Sequence, residues 1–142
     1  MPPMIFVNLP VADVARSTAF YEAIGFSKNP QFSNEQASCM IWSDTIHVML
    51  LCHDFYRTFA VKPIADTQTV SAAILCLSQG SRAEVDRIAA AALAAGGRPV
   101  HAPAENGFMY GAAFEDPDGH TFEAMHMDVA AFAAAQPQAE AA

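Results

Sequence analysis

One carboxylate stands in a strand-like run that is otherwise mostly apolar, Thr121-Phe122-Glu123-Ala124-Met125-His126-Met127. The run follows a tight turn, Glu115-Asp116-Pro117-Asp118-Gly119-His120, in which Pro117 presets φ and Gly119 supplies a positive φ. Period-two alternation puts Glu123, Met125 and Met127 on one face and Phe122, Ala124 and His126 on the other. A carboxylate buried in such a strand is costly unless it is paired, protonated or bound to a metal. Glu123 is therefore the leading candidate for a metal ligand, a general base or a hydrogen-bonding anchor. His47 alternates with Met49 and Leu51 in a second apolar run and suits a ligand, a proton shuttle or a satisfied core histidine.

Other side chains carry weaker chemistry. Met40, Trp42, Met49, Met109, Met125 and Met127 could line an adaptable apolar cavity or simply pack a core. In Gly107-Phe108-Met109-Tyr110-Gly111, two glycines flank Phe108 and Tyr110, which fits a mobile segment at a pocket mouth or a bulged strand edge. His120 is expected at the turn facing solvent, His126 on the face opposite Glu123, and His53 and His101 at connector or strand-end positions. The acidic turn lacks the distal Glu of a calcium loop. Ser78-Gln79-Gly80-Ser81 at a helix start is a weak anion signal.

The elements that must position these residues form a repeat of pattern. The first run, Ile5 to Val11, is β-prone, and Asp13 caps a helix whose Val14, Phe20, Tyr21 and Ile24 share one face before Gly25. Strands are expected over Phe26 to Phe32, Ala37 to Trp42 and Thr45 to Leu51. The plan recurs: Val70 to Leu77, a Ser81-to-Glu84 capping box, a helix carrying Val85, Ile88 and Ala92, a stop at Gly96-Gly97, then strands near Arg98 to His101, Met109 to Glu115 and Thr121 to Met127. Both halves read β-α-β-β-β, an α+β domain over 1–128 with module one at 4–52, a connector at 53–69 and module two at 70–128. In the connector, Phe55, Tyr56 and Phe59 fit a short helix over an opening or packing within their own module. Residues 129–142 form an alanine-rich tail that starts as a helix and frays.

Composition sets the class. The 142 residues are 53% hydrophobic and 15% charged, which fits a folded globule and not a disordered chain. A net charge of −8, with the seven Lys and Arg scattered, speaks against nucleic acid or an anionic membrane as partner. No apolar run approaches the roughly 20 residues of a membrane span, and Met1-Pro2-Pro3-Met4 lacks the basic start of a signal peptide. Cys39, Cys52 and Cys76 have no C-x-x-C spacing and read as reduced thiols in a cytoplasmic protein.

Three motifs in order, Phe6-Val7-Asn8-Leu9-Pro10-Val11 before Asp13, Phe20-Tyr21 before Gly25-Phe26, and Glu115-Asp116-Pro117-Asp118-Gly119-His120 before Glu123, resemble the glyoxalase/bleomycin-resistance/extradiol-dioxygenase family, the vicinal oxygen chelate superfamily. The resemblance runs from Met4 to Asp128. It implies two curved sheets forming a cup with ligand or metal inside, often at a homodimer interface. It also implies metal ligands in the first and last strand of each module. Those positions fall at Phe6, near Ala72, and at His47 and Glu123. Phe6 and Ala72 cannot coordinate, so His47 and Glu123 are an incomplete set beside the three protein ligands usual for catalytic zinc. Asn8 shares the parity of Phe6 and could add an amide oxygen. Zinc, nickel, iron and manganese all suit His with Glu.

Three functions remain open at this level. The protein binds a small, partly apolar or aromatic molecule in the cup without a complete metal site, with Phe6, Asn8, Met40, Trp42, Met49, Phe108, Tyr110 and Met125 as pocket residues. Alternatively it is a divalent-metal lyase, isomerase or dioxygenase using His47 and Glu123, or a metal-free enzyme with Glu123 as base and His47 as acid. No substrate signature is legible.

Overall fold

The computed structural model describes residues 2–136. Module one runs β1 (Ile5–Val11), α1 (Val14–Ile24), β2 (Ser27–Asn29), β3 (Ala37–Ile41) and β4 (Ile46–Cys52). Helix α2 (His53–Arg57) opens the connector. Module two runs β5 (Ile74–Ser78), α3 (Arg82–Ala94), β6 (Arg98–Asn106), β7 (Met109–Glu115) and β8 (Thr121–Met127), and α4 (Val129–Ala135) follows. The fraying expected for the end of the tail concerns residues 137–142, outside the described residues.

Local chemistry sets the element ends. Asp13 accepts from Arg16 N at 3.0 Å to start α1, and Gly25, at φ 118°, closes it on the Tyr21 and Glu22 carbonyls. Ser81 accepts from Glu84 N to start α3. Strand β2 is shorter than expected because Asn29 caps a 3-10 turn over Pro30–Phe32, and Pro30 has no N–H to continue the ladder. Strand β5 starts at Ile74, not Val70. Strand β6 is longer than its expected span and shifts register between Pro99 and Ala104, as prolines in an outer strand do.

The two sheets repeat one topology, β1-β4-β3-β2 and β5-β8-β7-β6, with the first strand of each module parallel to its last. One face of each sheet packs against the helices, and α1 packs against α3. Phe20, Tyr21, Ile24, Met40, Val48 and Leu50 from module one join Val85, Ile88, Phe114 and Phe122 from module two in a shared core. Full burial of each large side chain is worth about 1.5–3 kcal/mol. The faces turned away from the helices stay open. Phe6, Asn8, His47 and Met49 share the open face of sheet one, and Cys76, Ala113, Glu123 and Met125 that of sheet two.

The turn at Asp116–His120 joins the modules. Asp116 is fully buried; its Oδ1 accepts from the backbone N–H groups of Asp118 and His120, each at 2.9 Å. Its Oδ2 accepts from the Tyr21 hydroxyl at 2.6 Å. Asp118 accepts from Ala12 N at 2.9 Å and from the Ser17 hydroxyl at 3.2 Å, beside Arg16 at 3.7 Å. His120 is not solvent-facing, as the sequence suggested. It is 6% exposed, with Nε2 2.7 Å from the Pro10 carbonyl. The connector covers the turn, where Thr67 donates to the Asp118 carbonyl at 2.6 Å and Gln68 to that of Pro117 at 3.0 Å.

Candidate functional site

Module one supplies an apolar face. Phe6 and His47 are cross-strand neighbours on β1 and β4, and their rings stack with centroids 4.6 Å apart and planes 14° from parallel. His47 is buried, and its Nδ1 is the one buried side-chain nitrogen or oxygen without a hydrogen-bond partner among the described residues. A hollow of about 310 Å³ is lined by Phe6, Phe32, Cys39 and Met49. A second, of about 330 Å³, lies between Asn8 and Leu51 on the sheet and Tyr56, Phe59 and Ala60 at the connector's start. The connector does open with a short helix here, and the Asn8 amide donates to the Phe6 carbonyl at 3.2 Å.

Module two supplies a face with a carboxylate. A hollow of about 520 Å³ holds Glu123 among Val100, Met109, Met125 and several alanines, with His101, Glu105 and Asn106 at its polar side. Glu123 is exposed, contrary to the burial expected from its apolar neighbours, because the outer face of β8 is uncovered. Glu105 is ion-paired with Arg82, whereas no ion pair or hydrogen bond engages the Glu123 carboxylate among the described residues. Cys76 lies directly across from Glu123 on β5, as Phe6 does from His47 on β1. Partial desolvation, then the Glu123 charge, pushes the Cys76 thiol up from its ordinary value.

Several pocket assignments need correction. Met40 is fully buried on the helix-facing side of β3, paired with Val48, and Trp42 packs on the same core 5.0 Å from Phe26. Tyr110 also sits on the helix-facing side; its hydroxyl donates to Asp86 at 2.6 Å under Arg82. Phe108 lies in the β6–β7 turn edge-on to Phe132 of α4, at 5.5 Å. Ala72 precedes β5, so the residue in register with Glu123 is Cys76 instead. Starting that strand at Val70 hid this: apart from Ser71 the run is apolar, and nothing in it marks Ile74 as the first paired residue.

His47 and Glu123 lie on different sheets, and each hollow on the open faces draws on one module, or on one module and the connector. Among the described residues no three His, Cys, Asp or Glu side chains are grouped closely enough to hold a metal ion. The described donors of a single chain therefore do not form a metal centre.

A paired βαβββ arrangement with two open sheet faces is the fold of glyoxalase/bleomycin-resistance-type proteins. A family model described as bleomycin resistance protein-like N-terminal matches residues 4–40. The whole fold is similar to a hypothetical protein from S. aureus, at 25% identity over 89% of this chain and 94% of that one, with a TM-score of 0.76. It is also similar to a glyoxalase/bleomycin resistance protein/dioxygenase family enzyme from Burkholderia phytofirmans (20% identity, 89% and 99% covered, TM-score 0.73). A bleomycin resistance determinant encoded on transposon Tn5 aligns at 23% identity over 90% of this chain and all of that one, with a TM-score of 0.63. No curated protein sequence matches. The fold is thus the one shared by glyoxalase/bleomycin resistance/dioxygenase proteins, and the N-terminal stretch 4–40 is similar in sequence to the bleomycin resistance protein-like model.

Proposed function

We propose that the protein binds a small, partly apolar organic molecule on its open sheet faces. Two copies meet so that module one of one faces module two of the other. The carrying observation is the pair of unfilled faces: Phe6 and Ile74 are each about half exposed there, one on each sheet, although the shared core on the helix-facing sides is close-packed. Concave, mainly apolar surfaces with a few polar groups are the usual form of a ligand site. Exposed apolar area of this kind marks a binding surface. The three free cysteines fit a reducing, cytoplasmic setting. Among the described residues no helix is long and apolar enough to cross a membrane.

The test is a fragment screen by NMR on the full chain with analytical ultracentrifugation alongside. Saturable shifts confined to residues of the open faces, in a dimer, are expected. Fragments that shift only residues elsewhere, or none at all, would reject the reading.

Cys76 favours a second reading, a divalent-metal lyase, isomerase or dioxygenase. Across such a dimer, His47 of one copy would face Cys76 and Glu123 of the other, three donors of types that hold zinc or iron. A bound divalent ion would act there as a Lewis acid on a substrate oxygen. Stoichiometric metal after chelator-free purification, lost in both Cys76→Ser and Glu123→Gln, would establish it. Metal content unchanged in both variants would dismiss these residues as ligands.

A further inference from the structure

His47 narrows the ligand chemistry. It is 7% exposed, and its orphaned Nδ1 carries a desolvation penalty that a hydrogen-bonding partner would remove. Its cover is Phe6, which is 49% exposed on β1, an outer strand of its sheet, and so has solvent to swing into. The hollow beside this pair is walled by Phe6, Phe32, Cys39 and Met49. The Asn8–Met49 cross-strand pair links it to the second hollow, where Tyr56 and Phe59 stand over Leu51. Phe32 and Phe59, one in each hollow, are 67% and 68% exposed, an unusual state for large aromatic rings. No Lys, Arg, Asp or Glu lines either hollow.

We infer that this face takes an uncharged, planar aromatic molecule bearing one hydrogen-bonding group, an assignment that rests on the reading of the open faces as a ligand site. The aryl body lies along the strip between Phe32 and Phe59, against Phe6 and Met49. Aromatic and thioether contacts favour a flat ring there beyond simple area burial. A shift of the Phe6–His47 pair brings the imidazole edge to the polar group, which satisfies Nδ1. A hydroxyl serves best, because it both donates and accepts and so matches either tautomer of the imidazole. A charged headgroup is disfavoured, since it would lose water without gaining a counter-charge.

Naphthol and naphthalene, which share a ring system and differ by one hydroxyl, are the probes. The full chain carries methyl-labelled methionine, with Met49 reporting module one, Met109 and Met125 module two, and Met40 the core. Titration is expected to move the Met49 methyl and leave the core Met40 still, with naphthol binding about tenfold tighter than naphthalene. His47→Phe keeps a planar ring under Phe6 and removes the orphaned atom. It is expected to melt no lower than the native chain and to bind both probes equally.

Equal binding of the two probes by the native chain would overturn the role of Nδ1, as would a naphthol preference that persists in His47→Phe. Shifts at Met109 or Met125 with Met49 still would overturn the aromatic assignment while leaving a ligand-binding face in place. If neither probe moves Met49, Met109 or Met125, the aromatic assignment also falls. The fragment screen then decides separately whether the open faces bind anything.

Discussion

The Tyr21 hydroxyl donates to Asp116 at 2.6 Å, linking a helix of module one to the turn before the last strand of module two, with both residues at 0% exposure. Burial, then the Asp116 charge, raises the Tyr21 phenol well above its ordinary value of 10.0. A folded-state value above the unfolded one means that the contribution is complete below pH 10.0 and is lost as pH climbs through the folded value. Tyr21→Phe should lower unfolding stability by roughly 1–3 kcal/mol, because a buried carboxylate oxygen loses its donor. Urea denaturation followed by fluorescence measures this, and a loss well below that range would show that water replaces the hydroxyl.

Asp116 itself gives a pH signature. Desolvation raises its carboxyl above the usual 3.8, outweighing the opposing effects of His120 and the hydrogen bonds it accepts. Folding therefore favours the protonated form. Its contribution is greatest below pH 3.8 and declines as pH rises through the higher folded value. Asp116→Asn retains an oxygen for the two backbone N–H groups and does not titrate. The stability of the native chain relative to this variant should fall with rising pH across that window, in urea unfolding of both between about pH 3 and about pH 7. A flat difference would place the carboxyl's folded value at its unfolded one.

Gly119 is held at φ 89°, and a Cβ there would overlap the Thr67 carbonyl. Gly119→Ala should destabilise the fold by about 1–3 kcal/mol through backbone strain, with further loss where the connector lifts from the turn. Thermal unfolding together with proteolysis between residues 58 and 69 would register both effects. An unchanged melting temperature with unchanged cleavage would mean that the turn and connector are not docked as described.

Glu123→Gln should leave stability within about 0.5 kcal/mol, because an exposed carboxylate without an ion-pair partner contributes little to the fold. Any change in ligand affinity or metal content in this variant then reports function directly. A large drop in melting temperature would instead assign Glu123 a structural contact, most directly across a dimer interface.

Local signals carried the fold into the sequence. Asp13, Ser81, Gly25 and the Pro117-Asp118-Gly119 turn fixed element ends by short-range hydrogen bonds and backbone preferences. Alternation placed Glu123 and Met125 on the face opposite Phe122 and Ala124, which is where they lie. Alternation cannot say which face a helix will cover, and so Met40, Trp42 and Tyr110 were read as pocket residues although they pack inward. Nor can it say whether a face is covered at all, which is why Glu123 was expected to be buried. The contacts of Asp116, Asp118 and His120 reach residues 10–21, about a hundred positions earlier, and no spacing within the turn encodes them.

The turn at Asp116–His120 also bears on the order of events during synthesis. Helix α1 is translated early, yet the partners that bury Phe20 and Tyr21, namely Phe114, Asp116 and Phe122, come close to a hundred residues later. Module one emerging from a ribosome thus exposes an aromatic helix face until β7 and β8 follow. Contacts so distant along the chain favour slow folding. The half-made protein is accordingly the form most in need of a chaperone, and a stop codon before Phe114 would strand it there.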